Sequence, residues 1–388
     1  MSAADRDEVR PPDPAAFAAH VREWVAGNAS ALEEFRSPRA WSIEKTAAHE
    51  RRFQRMLYDS GLGRWGWPPE HGGLGGSPLL RAVLHEELAA AGYKAPESYI
   101  GLEVIAPMLI SFAPHIAAAH LPAKLWGDEE WCQGFSEPDA GSDLASLRTR
   151  ATDDGDHYRL DGQKIWTSYG NLSRWCAVLA RTGTGEEPHR GLTLFWLDLQ
   201  AEGVVVRPIA CASGRNEVAE VFLDGARVPK ERVVGSIGQG WAAVMYLMQY
   251  ERGTFAWVRQ AWLFSCLDAA LKSSSARAES IPSTVGHAYV LLCSLREKAL
   301  EVVTRLAAGQ QIGPESSIVK ILLAAAEQAV FDVIRDLLAP RLELSDDEEA
   351  AEARQHWYFS RIVSIYGGAG EVQRDIVAER LLGLPRSR

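Results

Sequence analysis

Cysteine is scarce in this chain of 388 residues, and its few cysteines form no recognisable motif. The 5 cysteines are odd in number, far apart and mostly flanked by apolar residues: Cys132, Cys176, Cys211, Cys266 and Cys293. This distribution excludes a Cys-x-x-Cys metal site and a disulfide framework. We expect reduced, buried thiols and no metal site.

Long apolar runs and an excess of positive charge are also missing. No stretch reaches the about 18 uninterrupted apolar residues that a membrane helix needs, and the first residues, MSAADRDEVRPPDPAAF, are acidic and rich in proline. We therefore expect a cytoplasmic protein without membrane insertion. The net charge of −10 argues against nucleic acid or an anionic membrane as the main partner, although a local basic pocket for one small anion stays compatible with it.

The rest of the composition is globular, with 47% hydrophobic, 24% charged and 9% aromatic residues. At about 150 residues per domain, the length predicts two or three domains. The apolar period divides the chain into an N-terminal helical domain (1–130), a middle β domain (131–235) and a C-terminal helical domain (236–388). Because strands and helices do not alternate, a doubly wound nucleotide-binding fold is excluded.

These patterns predict a mainly α protein with a small antiparallel β barrel or sandwich in the middle. The Gly- and Pro-rich residues 61–78 predict a long loop. In the C-terminal domain, helices that start at Gly240 are interrupted at three places, 273–284, 307–317 and 343–354. The long apolar face of residues 318–334 predicts a subunit interface.

The first segment that could carry chemistry is FSEPDAGSD, Phe135 to Asp143. Its proline and small residues form a turn whose backbone N–H groups and hydroxyls can approach a flat or anionic ligand closely. A polar turn that merely opens the β domain is the alternative.

The second segment is DGQKIWTSYG, in which Trp166 stands beside the hydroxyls of Thr167 and Ser168 on a predicted strand. An indole next to short hydrogen-bonding groups is suited to one side of an aromatic heterocycle such as flavin. The alternative is a tryptophan in the core of a small barrel.

The third candidate is Glu251, which lies in an apolar helical stripe. The stripe has steps of three, one, three, four, three and four residues and consists of Val244, Leu247, Met248, Glu251, Phe255, Val258 and Trp262. Burial there would raise the pKa of the carboxyl group and make it a better proton acceptor. The alternative is a structural pair between Glu251 and Arg252 or Arg259.

The fourth segment is IYGGAGEVQRDIVAERLLGLPR, residues 365–386. Gly367 and Gly368 break one helix, and the next begins near Glu371, so that backbone N–H groups point toward whatever lies at the break. A simple connector between helices is the alternative.

Together these segments resemble the acyl-CoA dehydrogenase family over nearly the whole chain. GWPPEHGGLGG followed by LHEELAAAG is similar to the family's N-terminal helical domain. WCQGFSEPDAGSDLASLRTRA is similar to its first signature, GQKIWTS to its flavin-binding strand, VFLDGARVPKERVVGSIGQGW to the segment that leaves the β domain, and residues 365–386 to its C-terminal helix. The resemblance implies a three-domain acyl-CoA dehydrogenase-like fold and an oxidoreductase that uses FAD.

The resemblance also implies site residues. Glu251 would remove the α-proton of a saturated acyl-CoA while hydride leaves the β-carbon for flavin N5, giving the trans-2-enoyl-CoA. The Gly367 N–H and a flavin ribityl hydroxyl would stabilise the enolate. Expected flavin contacts are Phe135, Ser136, Gly141, Ser142, Trp166, Thr167, Ser168 and Gly368; expected substrate contacts are Ser142, Arg252 and Tyr366.

Three departures from the family pattern stand out. Many members carry the catalytic Glu directly after the tyrosine of the C-terminal motif, whereas Tyr366 is followed by Gly367, and the Glu251-Arg252 pair matches the minority arrangement. The Arg-x-x-Phe-Gly segment is replaced by KSSSARAESIPST, and the Gln-x-x-Gly-Gly-x-Gly loop by ELSDDEEAAEARQHWYFSR. Both losses resemble actinobacterial enzymes of steroid side-chain degradation, several of which are mixed tetramers.

The resemblance therefore predicts lipid or steroid metabolism, an electron-transfer flavoprotein or similar acceptor, and either a homo-oligomer or a mixed tetramer with an unlike subunit. Two alternatives stay open. The chain could be a non-catalytic, flavin-poor subunit of such a complex, or a flavin oxidase or monooxygenase on the same fold.

Overall fold

A computed structural model describes residues 10–36, 41–96, 99–183, 188–274 and 283–386. Its α-helices are α1 (Pro14–Gly27), α2 (Ala29–Leu32), α3 (Ile43–Asp59), α4 (Leu79–Ala90), α5 (Ala106–Phe112), α6 (Pro114–Trp126), α7 (Gly240–Tyr250), α8 (Ala256–Ser274), α9 (Ser283–Ala307), α10 (Ser316–Leu338), α11 (Arg341–Leu344), α12 (Glu348–Ile362) and α13 (Gly370–Ile376). Its strands are β1 (Trp131–Gly134), β2 (Arg150–Asp154), β3 (His157–Ser168), β4 (Trp175–Arg181), β5 (Leu192–Asp198), β6 (Val204–Ile209), β7 (Val218–Pro229) and β8 (Val233–Val234). Helices thus precede and follow a middle β region, which confirms the predicted fold class.

The N-terminal helices bury apolar residues at helical spacing. Asp13 caps α1 by accepting hydrogen bonds from Ala15 N and Ala16 N, and Phe17 and Val21 are buried. Residues 61–78 contain only short 3₁₀ turns and one bridge between Trp65 and Gly75, in agreement with the predicted loop.

The strands form one eight-stranded sheet in the order β6-β7-β3-β2-β4-β5-β8, with β1 beside β4. Most neighbours are antiparallel, as predicted, but β1 and β2 each run parallel to β4. Alternating burial identifies a strand without giving the direction of its neighbour, which is why the sequence does not show the parallel pairs. Leu160, Val178, Phe195 and Val221 lie fully buried in the core of the sheet.

The C-terminal helices begin with a long, nearly continuous helix. Helix α7 runs through a π-helical turn, Glu251–Phe255, directly into α8. Helices α9 and α10 pack beside it, and the break predicted at 307–317 lies between them. The break predicted at 273–284 falls largely on residues 275–282, outside the described residues.

The interruption predicted at 343–354 is wrong in its second half, because α12 starts at Glu348. The Asp347 side chain accepts a hydrogen bond from Ala350 N, and Glu348 and Glu349 occupy the first turn. Carboxylates at a helix N-terminus stabilise it through capping and the helix dipole, so this acidic run starts a helix instead of breaking one.

The argument that residues 318–334 form a subunit interface is also wrong. Val319, Leu323, Val330 and Phe331 on α10 are buried against the chain's own helices. The apolar face is therefore covered within the chain.

The five cysteines are free, but only Cys132 and Cys176 are buried. Cys211, Cys266 and Cys293 are partly exposed, which corrects the expectation of five buried thiols. Apolar sequence neighbours do not fix burial, because adjacent residues point to different faces of a helix or strand. Within the described ranges, no cluster of His, Cys, Asp and Glu could hold a metal ion, and no helix is long and apolar enough to cross a membrane.

Candidate active site

Glu251 opens the π-helical turn between α7 and α8 and is 6% exposed. The apolar stripe around it is buried as the spacing predicts, except that Met248 is only partly buried. A Cβ atom on Gly253 would lie 2.6 Å from Leu306 Cδ1, so α9 packs directly against the backbone of this turn. Turns of this type recur at functional sites, where they shift side chains out of the regular helical register.

The surroundings of Glu251 favour the protonated form of its carboxyl group. Burial raises its pKa, and the charges of Lys320 and Arg252 together with the Gln133 amide offset only part of that rise. Glu251 Oε2 is buried and has no hydrogen-bond partner among the described residues. Arg259, one of the two expected structural partners, instead donates to Glu327 at 2.8 Å from Nε to Oε2.

Gly367 lies directly beside this carboxylate. Its φ of +62° is in the left-handed region, and a Cβ atom there would overlap Glu251 Oε1. The carboxylate of Glu251 therefore occupies the space into which a side chain at position 367 would project. At Gly368, whose φ is +102°, a Cβ atom would overlap Gln373 Nε2, so this loop also packs closely on α13.

A narrow cavity adjoins the carboxylate. It is lined by Glu251, Arg252, Phe255, Ala256, Val319, Lys320, Leu323 and Tyr366. The Tyr366 hydroxyl is buried without a hydrogen-bond partner among the described residues, and burial raises its pKa far above the usual range. Arg252 Nη1 lies 3.5 Å from Ser316 Oγ, and burial lowers the pKa of this guanidinium.

The turn from Phe135 to Asp143 is fastened to β3. Ile165 N donates to Ser136 O at 3.0 Å, and the backbones of Glu137 and Ala140 are bonded to each other. Phe135 is buried, Ser136 is partly exposed, and Gly141 and Ser142 are exposed. The turn thus presents Gly141 and Ser142 to the outside, while the buried Phe135 anchors its start.

Trp166 is 59% exposed, which excludes the core-tryptophan alternative. Its φ of +60° is strained for a residue with a side chain, and the pairing of β3 with β7 shifts register between Lys164 and Thr167. Thr167 is buried with its Oγ1 unpartnered in the described structure, while Ser168 is partly exposed.

Gln133 lies between the surroundings of Glu251 and the turn from Phe135 to Asp143. Gln133 on β1 lies two residues before the turn segment, and its side chain is near enough to Glu251 to lower the pKa of that carboxyl group. The structure therefore brings Glu251, Arg252, Tyr366, Gly367 and Gly368 together at the cavity and places the turn and the Trp166 strand on the adjoining sheet, outside the cavity lining.

The sequence analysis missed Gln133 and Lys320. Lys320 could have been found by the argument that singled out Glu251, since it interrupts the apolar run IVKILLAAAEQAVFDVI. Gln133 gives no such signal, because a partly exposed polar residue on a strand is ordinary.

Comparisons with known proteins agree along the chain. Family models described as the acyl-CoA dehydrogenase N-terminal, middle and C-terminal domains match residues 14–121, 132–226 and 238–382. Acyl-CoA dehydrogenase IpdE1 of Mycobacterium tuberculosis (strain ATCC 25618 / H37Rv) is 37% identical over 380 residues, which are 95% of this chain and 97% of the relative.

Solved structures give the same result. The Tcur3481-Tcur3483 steroid ACAD is 26% identical, with a TM-score of 0.82 over 98% of this chain and 100% of that chain. The ChsE4-ChsE5 complex from Mycobacterium tuberculosis has the same fold, with a TM-score of 0.79 and 24% identity over 97% of this chain and 99% of that chain. The chain therefore belongs to the acyl-CoA dehydrogenase family, whose members are flavin-dependent oxidoreductases.

Proposed function

We propose that this chain is an FAD-dependent acyl-CoA dehydrogenase that converts a saturated acyl-CoA into the trans-2-enoyl-CoA, with Glu251 as the base. The observation that carries the proposal is a buried carboxylate whose Oε1 occupies the space beside Gly367. Burial raises the pKa of Glu251, which brings its basicity closer to that needed for proton abstraction near neutral pH.

The α-proton of a thioester is too weakly acidic for a carboxylate to remove unaided, so the negative charge that develops on the carbonyl oxygen needs hydrogen-bond donors. We assign one donor to the backbone N–H of Gly367. Because the donor is a backbone group, glycine at this position retains it, and the missing side chain leaves room for Glu251.

The sheet side of the site fits a flavin. An exposed indole in a strained backbone and a buried, unpartnered Thr167 hydroxyl match the stacking and hydrogen-bonding needs of an isoalloxazine ring. We assign Trp166, Thr167 and Ser168, the turn residues Phe135, Ser136, Gly141 and Ser142, and Gly368 to FAD. When bound, FAD supplies the acceptor for the hydride from the substrate β-carbon.

For the substrate we assign Ser142, Arg252 and Tyr366. The Tyr366 hydroxyl is buried without a partner, so a polar group of the acyl-CoA would satisfy it. Since one similar structure is a steroid ACAD, we propose an acyl group from lipid or steroid metabolism. An electron-transfer flavoprotein or a similar acceptor would then reoxidise the enzyme.

We further propose a homo-oligomer or a mixed tetramer with an unlike subunit of the same family. Two observations support the mixed form. Two similar structures are of paired chains, Tcur3481 with Tcur3483 and ChsE4 with ChsE5, and this chain lacks the Arg-x-x-Phe-Gly and Gln-x-x-Gly-Gly-x-Gly segments.

Glu251→Gln tests the function. We expect turnover to fall at least ~100-fold, the loss typical of a general base, while flavin absorbance and acyl-CoA affinity stay near the wild-type values. The variant preserves shape and removes only basicity. Turnover close to the wild-type value would overturn the assignment of the base.

A second variant pair tests the geometry. The Glu251 carboxylate occupies the space into which a side chain at position 367 would project. Gly367→Glu in a Glu251→Ala background should therefore recover part of the activity that Glu251→Ala alone loses. The recovery should be incomplete because the left-handed backbone at position 367 is strained for any residue other than glycine. No recovery, together with retained turnover in Glu251→Gln, would place the base elsewhere. A colourless protein that takes up no FAD with any partner chain would instead favour a non-catalytic subunit.

A further inference from the structure

A second buried charge lies beside Glu251. Lys320 on α10 is 4% exposed, and its Cε lies 3.6 Å from the point where a Cβ atom on Gly367 would be, the same point that Glu251 Oε1 overlaps. Both side chains line the narrow cavity. A lysine at this depth needs a partner of opposite charge or a set of acceptors, since burying an unpaired ammonium is costly.

The Lys320 ammonium is held in place from two sides. It donates a hydrogen bond to Val363 O and lies 4.3 Å from the centroid of the Tyr366 ring. Both contacts belong to the segment that leads into Gly367. Lys320 is therefore fixed to the same loop that lies against the Glu251 carboxylate.

Of the acidic groups around Lys320 in the described part of the chain, Glu251 is the one that is not already held in an ion pair with another residue. Glu251 and Arg252 face it from the π-helical turn, Glu327 from its own helix, and Tyr366 from the loop. Glu327 is engaged by Arg259 through a buried two-pronged ion pair. Glu251 has no comparable ion pair: its Oε2 is without a hydrogen-bond partner among the described residues.

We propose that Lys320 is a positioning residue whose ammonium keeps the buried Glu251 carboxylate ionised and directed at Gly367. The proposal rests on Glu251 as the base of the proposed function. It accounts for a base that is buried yet has to lose its proton before it can accept one from the substrate.

The opposing electrostatic effects support this role. Burial alone raises the pKa of Glu251, and Lys320 lowers it more than Arg252 does. Burial in turn lowers the pKa of Lys320 to about 8. At neutral pH the ammonium is therefore still charged, and removing it should make Glu251 harder to ionise.

The test compares Lys320→Met, which removes the charge, with Lys320→Arg, which keeps it. We expect the acidic limb of the kcat-pH profile to move to higher pH by about one unit or more in Lys320→Met, the typical effect of removing one nearby opposite charge. Lys320→Arg should restore a profile close to that of the wild type. Lys298→Met, which removes a partly exposed lysine on α9, is the control and should leave the limb in place.

A readout without turnover comes from infrared difference spectra of the purified complex, taken against Glu251→Gln. The band of the protonated Glu251 carboxyl group should persist to higher pH in Lys320→Met than in the wild type. If Lys320→Met does not fold, as judged by circular dichroism, Lys320→Gln replaces it, since it keeps a polar group near Val363 O and removes the charge.

Two results would overturn the proposal. One is an unshifted pH profile and an unshifted carboxyl band in the neutral variants. The other is an equal loss of activity in Lys320→Arg and Lys320→Met, which would indicate that Lys320 only holds the loop. Failure of the proposed function looks different, because there Glu251→Gln retains turnover, whereas the infrared titration of Glu251 still reports on Lys320.

Discussion

At the scale of single residues, Trp166 stands out because its backbone lies in the left-handed region although it carries a large side chain. A residue other than glycine in the left-handed region costs of the order of 1–3 kcal/mol and persists only where the surroundings impose it. Around Trp166 they do: the β3–β7 register shifts there, and Tyr169 N donates to Glu217 O at 2.8 Å just beyond it. The strain holds a large exposed indole at the surface of the sheet, as a stacking site requires.

Trp166→Ala should therefore weaken flavin retention without unfolding the protein. Loss of stacking and burial of a large aromatic is worth about 1–3 kcal/mol, or one to two decades in affinity. Flavin titration and circular dichroism on the same sample measure both properties. Trp126→Ala, which removes another exposed tryptophan at the end of α6, is the control and should leave flavin affinity unchanged. Unchanged flavin affinity in folded Trp166→Ala would contradict the stacking assignment.

Single residues also show how far the sequence leads. Glu251 could be predicted because it breaks an apolar stripe within one helix, a signal that is local. Lys320 and Gln133 lie on α10 and β1, and their proximity to Glu251 exists only after the chain folds. No local pattern reports a contact between residues far apart in the sequence. Glu251 and Lys320 each interrupt an apolar run and are accessible to sequence reasoning, whereas their proximity to each other and to Gln133 is not.

At the scale of elements, a buried ion pair joins the turn at Phe135 to β3. The fully buried Lys164 Nζ donates to Phe135 O at 3.1 Å and to Glu137 Oε1 at 2.8 Å. The Glu137 carboxylate also accepts from Thr149 N at 2.8 Å. Burial lowers the pKa of Lys164 to about 8, whereas the pKa of Glu137 stays below its usual value because these donors outweigh its own burial.

Lys164→Met should loosen the turn and weaken flavin binding. Removing one partner of a buried ion pair leaves an uncompensated charge and typically costs about 3–5 kcal/mol of stability. The matched control is Lys124→Met, which removes another fully buried lysine. Lys124 lies on α6, and its Nζ is 2.5 Å from Glu130 Oε2. Thermal unfolding should show destabilisation in both variants, while flavin affinity of the folded fraction should fall only in Lys164→Met. An equal loss of affinity in both would mean that the effect is global.

The sequence predicts helices and strands well where the apolar period is unambiguous. It predicts them less well where the end of a helix or the direction of a strand depends on another part of the chain. The return of helices at Gly240 and the strand-rich middle follow directly from the apolar period. The start of α12 depends on the Asp347 cap, to which Arg341 also binds at 2.8 Å. The parallel β1–β4 pair depends on how the chain crosses the sheet, which the alternation of side chains does not encode.

At the scale of the whole molecule, the exposed apolar residues are concentrated near the C-terminus. Leu344 is 82% exposed, Ile365 66% and Leu382 64%. The first of these lies where the Gln-x-x-Gly-Gly-x-Gly loop of the family is missing, and the second directly precedes Tyr366. They lie on three segments, the end of α11, the residues after α12 and the C-terminal end, and exposed apolar side chains of this size are what a partner chain covers at an interface. These residues, and not the apolar face of α10, are the structural reason to expect an oligomer.

We therefore predict that the chain works as an oligomer, a dimer of dimers formed either by itself or with an unlike subunit. Ile365→Glu should weaken assembly, because it places a charge on a surface that the partner desolvates. Val205→Glu, at a half-exposed position on β6, is the matched control and should leave the mass unchanged. Light scattering of each variant, with and without a candidate partner chain, gives the mass, and the visible spectrum gives flavin per chain.

A flavin-loaded, active wild-type monomer would contradict the prediction. A homotetramer with full flavin occupancy would show that contacts between copies of this chain replace the missing segments. Flavin uptake only after mixing with an unlike subunit would show that this subunit supplies the missing contacts.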